Sequence, residues 1–360
     1  IRTLDSDDAV FILEDLGESQ RVSILERLPF RERIRLRRPL GYPDETAGRR
    51  MQTEYVAVPP YWSIGQTLDY LHDDASLPER FFEVFVVDPS FRLLGTVELH
   101  DVLRGNRKAP IDSIKRPTRH AIPTLTDQEE AARIFQRYNL LSAAVVDEAE
   151  RLVGVLTIDD IVDVIQSEAD EDILRLGGVG DEEISDTVAQ TVRSRFGWLL
   201  VNLVTAILAS LVIGAFDGTI QQMVALAILM PIVASMGGNA GTQTMTVAVR
   251  ALATRDINVH NAARIVRREL LVGFLNGVLF AALIGCVAAF WFSDVELGQI
   301  LAAAMVINMV AAALAGILIP IGLDRFGIDP AIASGTFVTT VTDVVGFFAF
   351  LGLAALLLVA

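Results

Sequence analysis

The second half of this chain contains five long apolar stretches, and they constrain its fold more than any other feature. Each is at or above the ~20 residues that an α-helix needs to cross a bilayer. A helix satisfies its backbone hydrogen bonds internally, so such segments cross membranes as helices. We therefore expect a five-helix transmembrane domain over residues 195–360. Its predicted spans are residues 196–216, 220–250, 268–292, 298–323 and 331–358.

The first half of the chain has the opposite character. Residues 1–190 carry 37 acidic and 22 basic side chains, whereas residues 191–360 carry 8 of each. The single cysteine, Cys286, cannot form an intrachain disulfide, so the first half needs no oxidising compartment. The N-terminus also lacks the pattern of a secretory signal peptide. We expect an acidic cytoplasmic module joined to the membrane domain.

Basic residues near the ends of the spans predict the orientation, because positive charges near span ends stay on the cytoplasmic side. The linkers around Asp217 and residues 293–296 contain no Lys or Arg and are expected outside. We expect a multi-pass protein of the cell membrane with a cytoplasmic N-terminus and an extracytoplasmic C-terminus. The arginines of the linker between the second and third spans are Arg250, Arg255, Arg264, Arg267 and Arg268.

An internal duplication occupies the middle of the first half. FFEVFVVDPSFRLLGTVELHDVL (81–103) and LLSAAVVDEAERLVGVLTIDDIV (140–162) both read as strand, Asp-containing turn, strand through a glycine and acidic helix start. The pattern resembles a tandem pair of cystathionine-β-synthase (CBS) domains over residues 51–165. Short amphipathic helices interrupted at Pro29 predict a partial N-terminal helical domain over residues 1–46.

Residues 166–194 are predicted to form an acidic connecting helix, broken at Gly177 and Gly178. Residues 147–186 hold 14 acids against two arginines. Such charge runs are usually solvated faces. Acids so crowded in a folded element repel one another, however, and hard divalent cations with oxygen ligands relieve that repulsion. We favour a metal-sensing cluster over a merely soluble face.

One carboxylate, Asp343, falls at membrane depth. An ionised group there is costly unless it faces water, a cation or a partner, so we read it as functional rather than as a capped or protonated structural residue. Three- and four-residue spacing puts hydroxyl groups on its helix face, which suits a cation. The residues that share this face are Thr336, Thr339, Thr340 and Gly346.

The second span contains PIVASMGGNAGTQ (231–243), in which Pro231 and several glycines stand beside Asn239. These residues predict a weakened or broken helix, which is tolerated at membrane depth where it is buried in protein or lines a cavity. Small residues such as Gly237 and Gly238 also permit close helix packing. The packing and pore-lining explanations both stay open at this point.

CBS pairs often hold an adenine nucleotide such as ATP, through a pattern of Gly, two apolar residues, Thr or Ser, two residues and Asp. Gly154, Thr157 and Asp160 fit this pattern in the second copy. In the first copy Glu98 replaces the hydroxyl residue and would repel phosphate, so a nucleotide-free pair is an equal alternative. The chain has no P-loop, Rossmann or Ser-His-Asp signature and no metal-ligand spacing of histidines. We expect neither an enzyme nor a nucleic-acid partner.

LGYPDETAG (40–48), PIVASMGGNAGTQ (231–243) and DPAIASGTFVTTVTD (329–343) resemble motifs of the MgtE-type magnesium channels. The resemblance runs along nearly the whole chain and implies a homodimer with its pore between the two membrane domains. It implies that Asp343 holds hydrated Mg²⁺ and that Asn239 is its neighbour on the second helix. A polar plug helix would close the pore when cytosolic Mg²⁺ binds acidic interfaces.

The resemblance also implies a set of regulatory metal ligands, called here the sensor acids. The N-terminal domain is much shorter than the family's usual form, which bears on how many sensor sites it contains. The function implied is Mg²⁺ uptake, with Mg²⁺ as both transported ion and regulator and with other divalent cations as competitors. The sensor acids are Asp159, Asp163, Glu168, Glu171 and Asp172.

Two other functions stay open on sequence grounds. A secondary carrier could exchange a divalent cation for H⁺ or Na⁺ through Asp343. A membrane-anchored nucleotide-binding regulator would transport nothing, although Asp343 and the motif at residues 231–243 argue against it.

Overall fold

The computed structural model of the protein describes residues 4–14, 16–74, 77–118, 120–179, 187–257 and 260–358. The chain divides into two compact units, Ile1–Ala169 and Asp170–Ala360. The division confirms the multidomain organisation expected from the contrast between an acidic and an apolar half.

The first unit begins with short helices, in agreement with the amphipathic pattern of this segment. Pro29 stands immediately before the third helix, where its missing N–H costs no helical hydrogen bond. The first three helices share a small apolar core made by Ala9, Val10, Leu13, Leu25 and Leu36. They are α1 (Ser6–Glu14), α2 (Glu18–Arg27), α3 (Phe30–Arg37) and α4 (Ala47–Arg50).

Two copies of one α/β unit follow, which is the duplication that the sequence predicts. In each copy the first strand pairs in parallel with the second, and the second pairs antiparallel with the third. Both copies also have a register irregularity at the same place in the second strand. The first copy contains β1 (Ala57–Val58), α5 (Ile64–Asp73), β2 (Glu83–Val87), β3 (Leu93–Glu98) and α6 (Leu99–Arg104). The second contains β4 (Ile122–Pro123), α7 (Gln128–Tyr138), β5 (Ser142–Val146), β6 (Leu152–Thr157) and α8 (Ile158–Leu176).

Helix α8 leaves the second copy and continues past residue 165. It ends at Leu176, and Gly178 then adopts a positive φ of 70°, a conformation that costs glycine little. The helix therefore stops where Gly177 and Gly178 predict a break. Residues 180–186 of the predicted connecting helix lie outside the described residues. The next helix starts at Val188, so two separate helices, and not one, contribute to the described parts of residues 166–194.

The described part of the second unit contains five helices long and apolar enough to cross a membrane, as predicted. In the fourth helix, 61% of the apolar stretch is buried by its neighbours, whereas in the first helix only 6% is buried. A short helix, α10 (Asp217–Gln222), connects the first two. The five are α9 (Val188–Ala215), α11 (Ala225–Ala253), α12 (Ala262–Phe292), α13 (Val295–Arg325) and α14 (Pro330–Leu357).

The expectation of a broken second span is wrong, because α11 is continuous through Pro231 and the glycines that follow. Close packing explains the small residues better. A Cβ atom on Gly241 would lie 2.5 Å from Val338 Cγ1 of α14, and one on Gly237 would overlap the side chain of Asn308 on α13. Glycine here permits close approach of helices rather than loss of helical structure.

Candidate functional site

Asp343 lies in the middle of α14 and is half-buried within the single chain. No lysine, arginine or histidine of the described chain forms an ion pair with it. A carboxylate at membrane depth without a basic partner needs water, a cation or a proton to compensate its charge. The surroundings of Asp343 thus fit a cation pathway better than a structural ion pair.

The threonines on α14 present oxygen lone pairs beside this carboxylate. Thr339 Oγ1 donates to the backbone oxygens of Gly335 at 3.0 Å and Thr336 at 3.1 Å. Thr340 Oγ1 donates to the oxygen of Thr336 at 2.6 Å. Because each hydroxyl proton is committed to the helix backbone, the remaining lone pairs can only accept. Such oxygens accept hydrogen bonds from the water shell of a cation.

Helix α11 carries a polar face that is exposed in the single chain. Its residues recur at three- and four-residue spacing, so they lie along one side of the helix. Thr242 and Thr246 again turn their hydroxyl protons inward, to the backbone oxygens of Gly238 and Thr242, both at 2.9 Å. We call this set the polar face of α11. It consists of Ser235, Asn239, Thr242 and Thr246.

The structure brings α11 and α14 together at the level of the predicted pore residues. A Cβ on Gly238 would lie 4.0 Å from Thr339 Cγ2, so these two predicted site residues face each other. Asn239 is exposed on the adjoining polar face. Gly237 turns the other way and packs against α13, so it supports the pathway from behind instead of lining it.

Asn308 was not predicted from the sequence as a functional residue. It lies on α13, is fully buried and donates from Nδ2 to the backbone oxygen of Val233 at 2.8 Å. A lone asparagine inside a long apolar span is the signal that could have found it, because polar groups inside membrane proteins are costly.

The sensor acids lie along α8 and have different surroundings. Asp159 accepts from Thr157 Oγ1 at 2.5 Å, and Glu168 accepts from Gln128 Nε2 at 2.6 Å. Burial is the main cause that raises the pKa of Glu168. Within the described ranges, no group of three or more His, Cys, Asp or Glu side chains could hold a metal ion.

The last turn of α8 contacts the start of α14, within the second unit. Arg175 pairs with the sensor acid Glu171 and, at 2.5 Å, with Asp329. Asp329 also caps α14, because its carboxylate accepts from the N–H of Ala331 at 2.8 Å. Arg175 therefore links one sensor acid, Glu171, to the helix that carries Asp343.

A second acidic contact was not predicted from sequence and involves α1. The carboxyl groups of Asp7 and Asp160 are in hydrogen-bond contact, and Gln52 Nε2 donates to Asp7 Oδ2 at 3.2 Å. Burial first, and then the Asp7 carboxylate, raise the pKa of Asp160 to about 9. Burial and neighbouring acids likewise raise the pKa of Asp8. Two carboxyls so close require a shared proton or a cation.

The predicted nucleotide residues Gly154, Thr157 and Asp160 already contact other parts of the described chain. A Cβ on Gly154 would lie 2.5 Å from Met51 Sδ, and the backbone N–H of Thr157 donates to Asp160 Oδ2 at 3.1 Å. A separate cavity of about 350 Å³ is lined by residues of both copies, and none of the three lines it. Its walls include Glu83, Arg116, Thr118, His120 and Ser142.

Glu83 makes the charge of this cavity depend on pH near neutrality. Burial first, and then Glu98, raise the pKa of Glu83 to about 7, although Arg116 acts in the opposite direction. His120 stacks on Tyr138 with ring centroids 3.7 Å apart. The cavity thus offers an aromatic wall, an arginine and a carboxyl that titrates near neutral pH.

Comparison with known proteins gave consistent results. A family profile described as MgtE, divalent cation transporter, matches residues 230–353, and a CBS domain profile matches residues 114–167. The magnesium transporter MgtE of Bacillus subtilis is 31% identical over 352 residues, which cover 98% of this chain and 78% of that protein. Its counterpart from Thermus thermophilus is 34% identical over 351 residues, covering 96% of this chain and 77% of that protein.

The solved structures include the cytosolic domain of the Mg²⁺ channel MgtE in complex with ATP. That chain is 31% identical, with a TM-score of 0.44, and the match covers 45% of this chain and 67% of that one.

Proposed function

Because this chain belongs to the MgtE family, we propose that it is a Mg²⁺-selective channel that admits Mg²⁺ into the cell and closes when cytosolic Mg²⁺ binds its acidic first half. Members of this family are transporters and channels rather than enzymes. One observation carries the proposal. Asp343, without a basic partner among the described residues, stands on a helix packed against α11, whose polar face is exposed at membrane depth.

The polar face of α11 also supports a homodimer. In a single chain Asn239 and Thr242 would face lipid, which cannot satisfy the remaining acceptor positions of Thr242 or of the Asn239 amide. A two-fold related copy packed against this face would cover it and enclose water between the subunits. Two copies of Asp343 near such an axis would supply the charge that a divalent ion requires.

The hydroxyl geometry favours a hydrated ion over a stripped one. Mg²⁺ gives up its water reluctantly, so a pathway for it should contact the waters and not the metal. Thr339, Thr340 and Thr242 already direct their protons to the helix backbone and keep acceptor positions for those waters. This arrangement supports outer-shell recognition of Mg²⁺.

The acidic contacts of α1 and α8 support the proposed gating by Mg²⁺. The sensor acids repel one another while they are ionised, and bound divalent cations would relieve that repulsion in the compact, closed form. At the Asp7–Asp160 pair, which holds a proton near neutral pH, a cation would take the place of that proton. A cation shifts a conformational equilibrium only if it binds one state better. The ion pairs of Arg175 with Glu171 and Asp329 give a route by which changes on α8 would reach α14.

We place the protein in the cell membrane with its acidic half on the cytosolic side and its C-terminus outside, on the distribution of arginines near the spans. In the alternative of a secondary carrier, Asp343 would release and bind H⁺ or exchange Na⁺. Flux that requires an opposing H⁺ or Na⁺ gradient would identify the carrier.

A nucleotide such as ATP is a second proposed ligand of the CBS pair. The cavity between the two copies supports it through the His120–Tyr138 stack, which offers a contact for an aromatic base. Arg116 is paired with Glu98 and Asp101, so a phosphate would have to displace one of these carboxylates to bind it. The proposal based on Gly154, Thr157 and Asp160 has less support, because Thr157 and Asp160 are already bonded to each other.

The proposed pathway is tested by Mg²⁺ flux into liposomes that contain the purified protein. Asp343→Ala should abolish or strongly reduce flux, and Asp343→Asn should lose the preference for divalent cations. Asp217→Asn is the matched control, because Asp217 is an exposed acid of α10 bonded to Gln221. Wild-type flux and selectivity in both Asp343 variants would refute the assignment.

A further inference from the structure

The most deeply buried amide of the membrane unit belongs to Asn308, at the centre of α13. Its side chain is fully inaccessible, and α13 is the most buried of the five spans. A polar group in this position is costly and is retained where it has a role. Neither α11 nor α14 can move freely past it.

Two glycines make room for this amide, one on each helix of the proposed pathway. A Cβ on Gly237 of α11 would overlap Nδ2 of Asn308, and one on Gly346 of α14 would lie 2.7 Å from the same atom. Asn308 Nδ2 also donates to the backbone oxygen of Val233, one turn before Gly237. The amide therefore touches α11 and α14 at once and is bonded to one of them.

The segments that Asn308 contacts are those that carry the pathway residues. Gly237 lies on the buried side of α11, while Asn239 lies two positions later on the exposed polar face. Gly346 lies three residues after Asp343, about one turn along α14. A sliding or tilting of α11 against α14 would therefore change the distance between Asn239 and Asp343.

The side-chain oxygen of Asn308 indicates that filling space is not the main role of this residue. Asn308 Oδ1 is buried and accepts no hydrogen bond from the described residues. A buried acceptor left without a donor is destabilising, so an apolar side chain of similar size would fill the same space at lower cost. What leucine cannot supply is the directional bond to Val233.

We propose that Asn308 is a positioning residue for the cation pathway, holding α11 and α14 in the register that sets Asn239 and Asp343 at their working separation. The proposal rests on the function proposed above, since it assumes that these two residues line the path of the ion.

The test compares Asn308→Leu with Asn276→Leu, the same substitution on the exposed side of α12. Full-length protein in liposomes is assayed for the half-saturating Mg²⁺ concentration, for maximal flux and for discrimination of Mg²⁺ against Na⁺. Thermal unfolding of the same samples reports on the fold. Leucine is bulkier than asparagine and packs beside Gly237 and Gly346, so the unfolding temperature of Asn308→Leu should fall below that of the wild type. At temperatures where the same samples are folded, we expect Asn308→Leu to shift half-saturation or discrimination by about tenfold, as misplaced site groups do. Asn276→Leu should behave as wild type.

A double substitution separates positioning from packing. Gly237→Ala alone should impair folding or flux, because its methyl group meets the Asn308 amide. Asn308→Ala makes room for that methyl group, so the pair should recover stability. Under our proposal it should not recover half-saturation or discrimination, since the bond to Val233 is still missing.

Wild-type half-saturation and discrimination in Asn308→Leu would overturn the proposal. So would a loss of flux that only follows loss of folded protein, or full recovery of selectivity in Asn308→Ala with Gly237→Ala. Asp343→Ala belongs to the same series. If Asp343→Ala conducts normally, the proposed pathway itself is wrong. If Asp343→Ala loses flux while Asn308→Leu behaves as wild type, only the role of Asn308 is refuted.

Discussion

Replacing Asp160 with asparagine should remove a pH dependence from the stability of the protein. Burial and the neighbouring Asp7 raise the pKa of Asp160 from its ordinary 3.8 to about 9. Over the range between these values, the folded chain holds a proton at this pair that the unfolded chain has released. The free energy of unfolding is therefore greatest below the unfolded pKa and falls as pH rises toward the folded one. Asparagine keeps the shape of the protonated carboxyl and cannot ionise.

The magnitude follows from one proton. Each pH unit changes the free energy of unfolding by about 1.4 kcal/mol for a single proton held only in the folded state. Between pH 5 and pH 8, stability attributable to Asp160 should therefore fall by about 4 kcal/mol in the wild type. Asp160→Asn should lack this slope. A divalent cation at the Asp7–Asp160 contact would take the place of the proton, so Mg²⁺ should stabilise the wild type most at high pH.

The measurement is denaturant unfolding of the detergent-solubilised protein from pH 5 to pH 8, with a chelator present and then with millimolar Mg²⁺. Asp73→Asn is the matched control, because Asp73 is an exposed acid of α5. A slope in Asp160→Asn equal to that of the wild type would refute the reasoning. Equal stabilisation of wild type and variant by Mg²⁺ would show that the ion acts elsewhere.

Three further outcomes are expected. ATP binding should weaken by about three- to tenfold from pH 6 to pH 8, because Glu83 ionises over this range and its carboxylate then repels phosphate. Calorimetry should find a smaller change in Glu83→Gln. Gly241→Ala should destabilise the membrane unit by about 1–3 kcal/mol in thermal unfolding, because its methyl group meets Val338, whereas Gly218→Ala has open space. Neutralising all five sensor acids should leave a functional pore that stays open at high cytosolic Mg²⁺, and flux with an unchanged dose response would contradict their role.

Much of the fold could be predicted because its signals are local. Apolar length located the five spans, and the repeated strand and turn pattern located both CBS copies. Gly178 marks the break after α8 because positive φ is readily available to glycine. The glycines of α11 misled for the opposite reason: their role depends on Asn308 and Val338, which are distant in sequence.

The site was predictable where one residue is anomalous in its own segment. Asp343 stands out because it is a carboxylate in an apolar span. The Asp7–Asp160 contact could not be read from either segment alone, since it arises when α1 packs beside the start of α8. The inward orientation of the hydroxyl protons of Thr339 and Thr242 likewise requires the helix geometry.

Current recording across a planar bilayer tests the central claim most directly. With Mg²⁺ as the permeant cation and no H⁺ or Na⁺ gradient, the purified protein should give unitary Mg²⁺ currents that cease when Mg²⁺ is raised on the side of the acidic half. The currents of Asp343→Asn should no longer show a preference for Mg²⁺. Mg²⁺ movement that appears only when an opposing H⁺ or Na⁺ gradient is imposed, without unitary currents, would contradict the proposed channel.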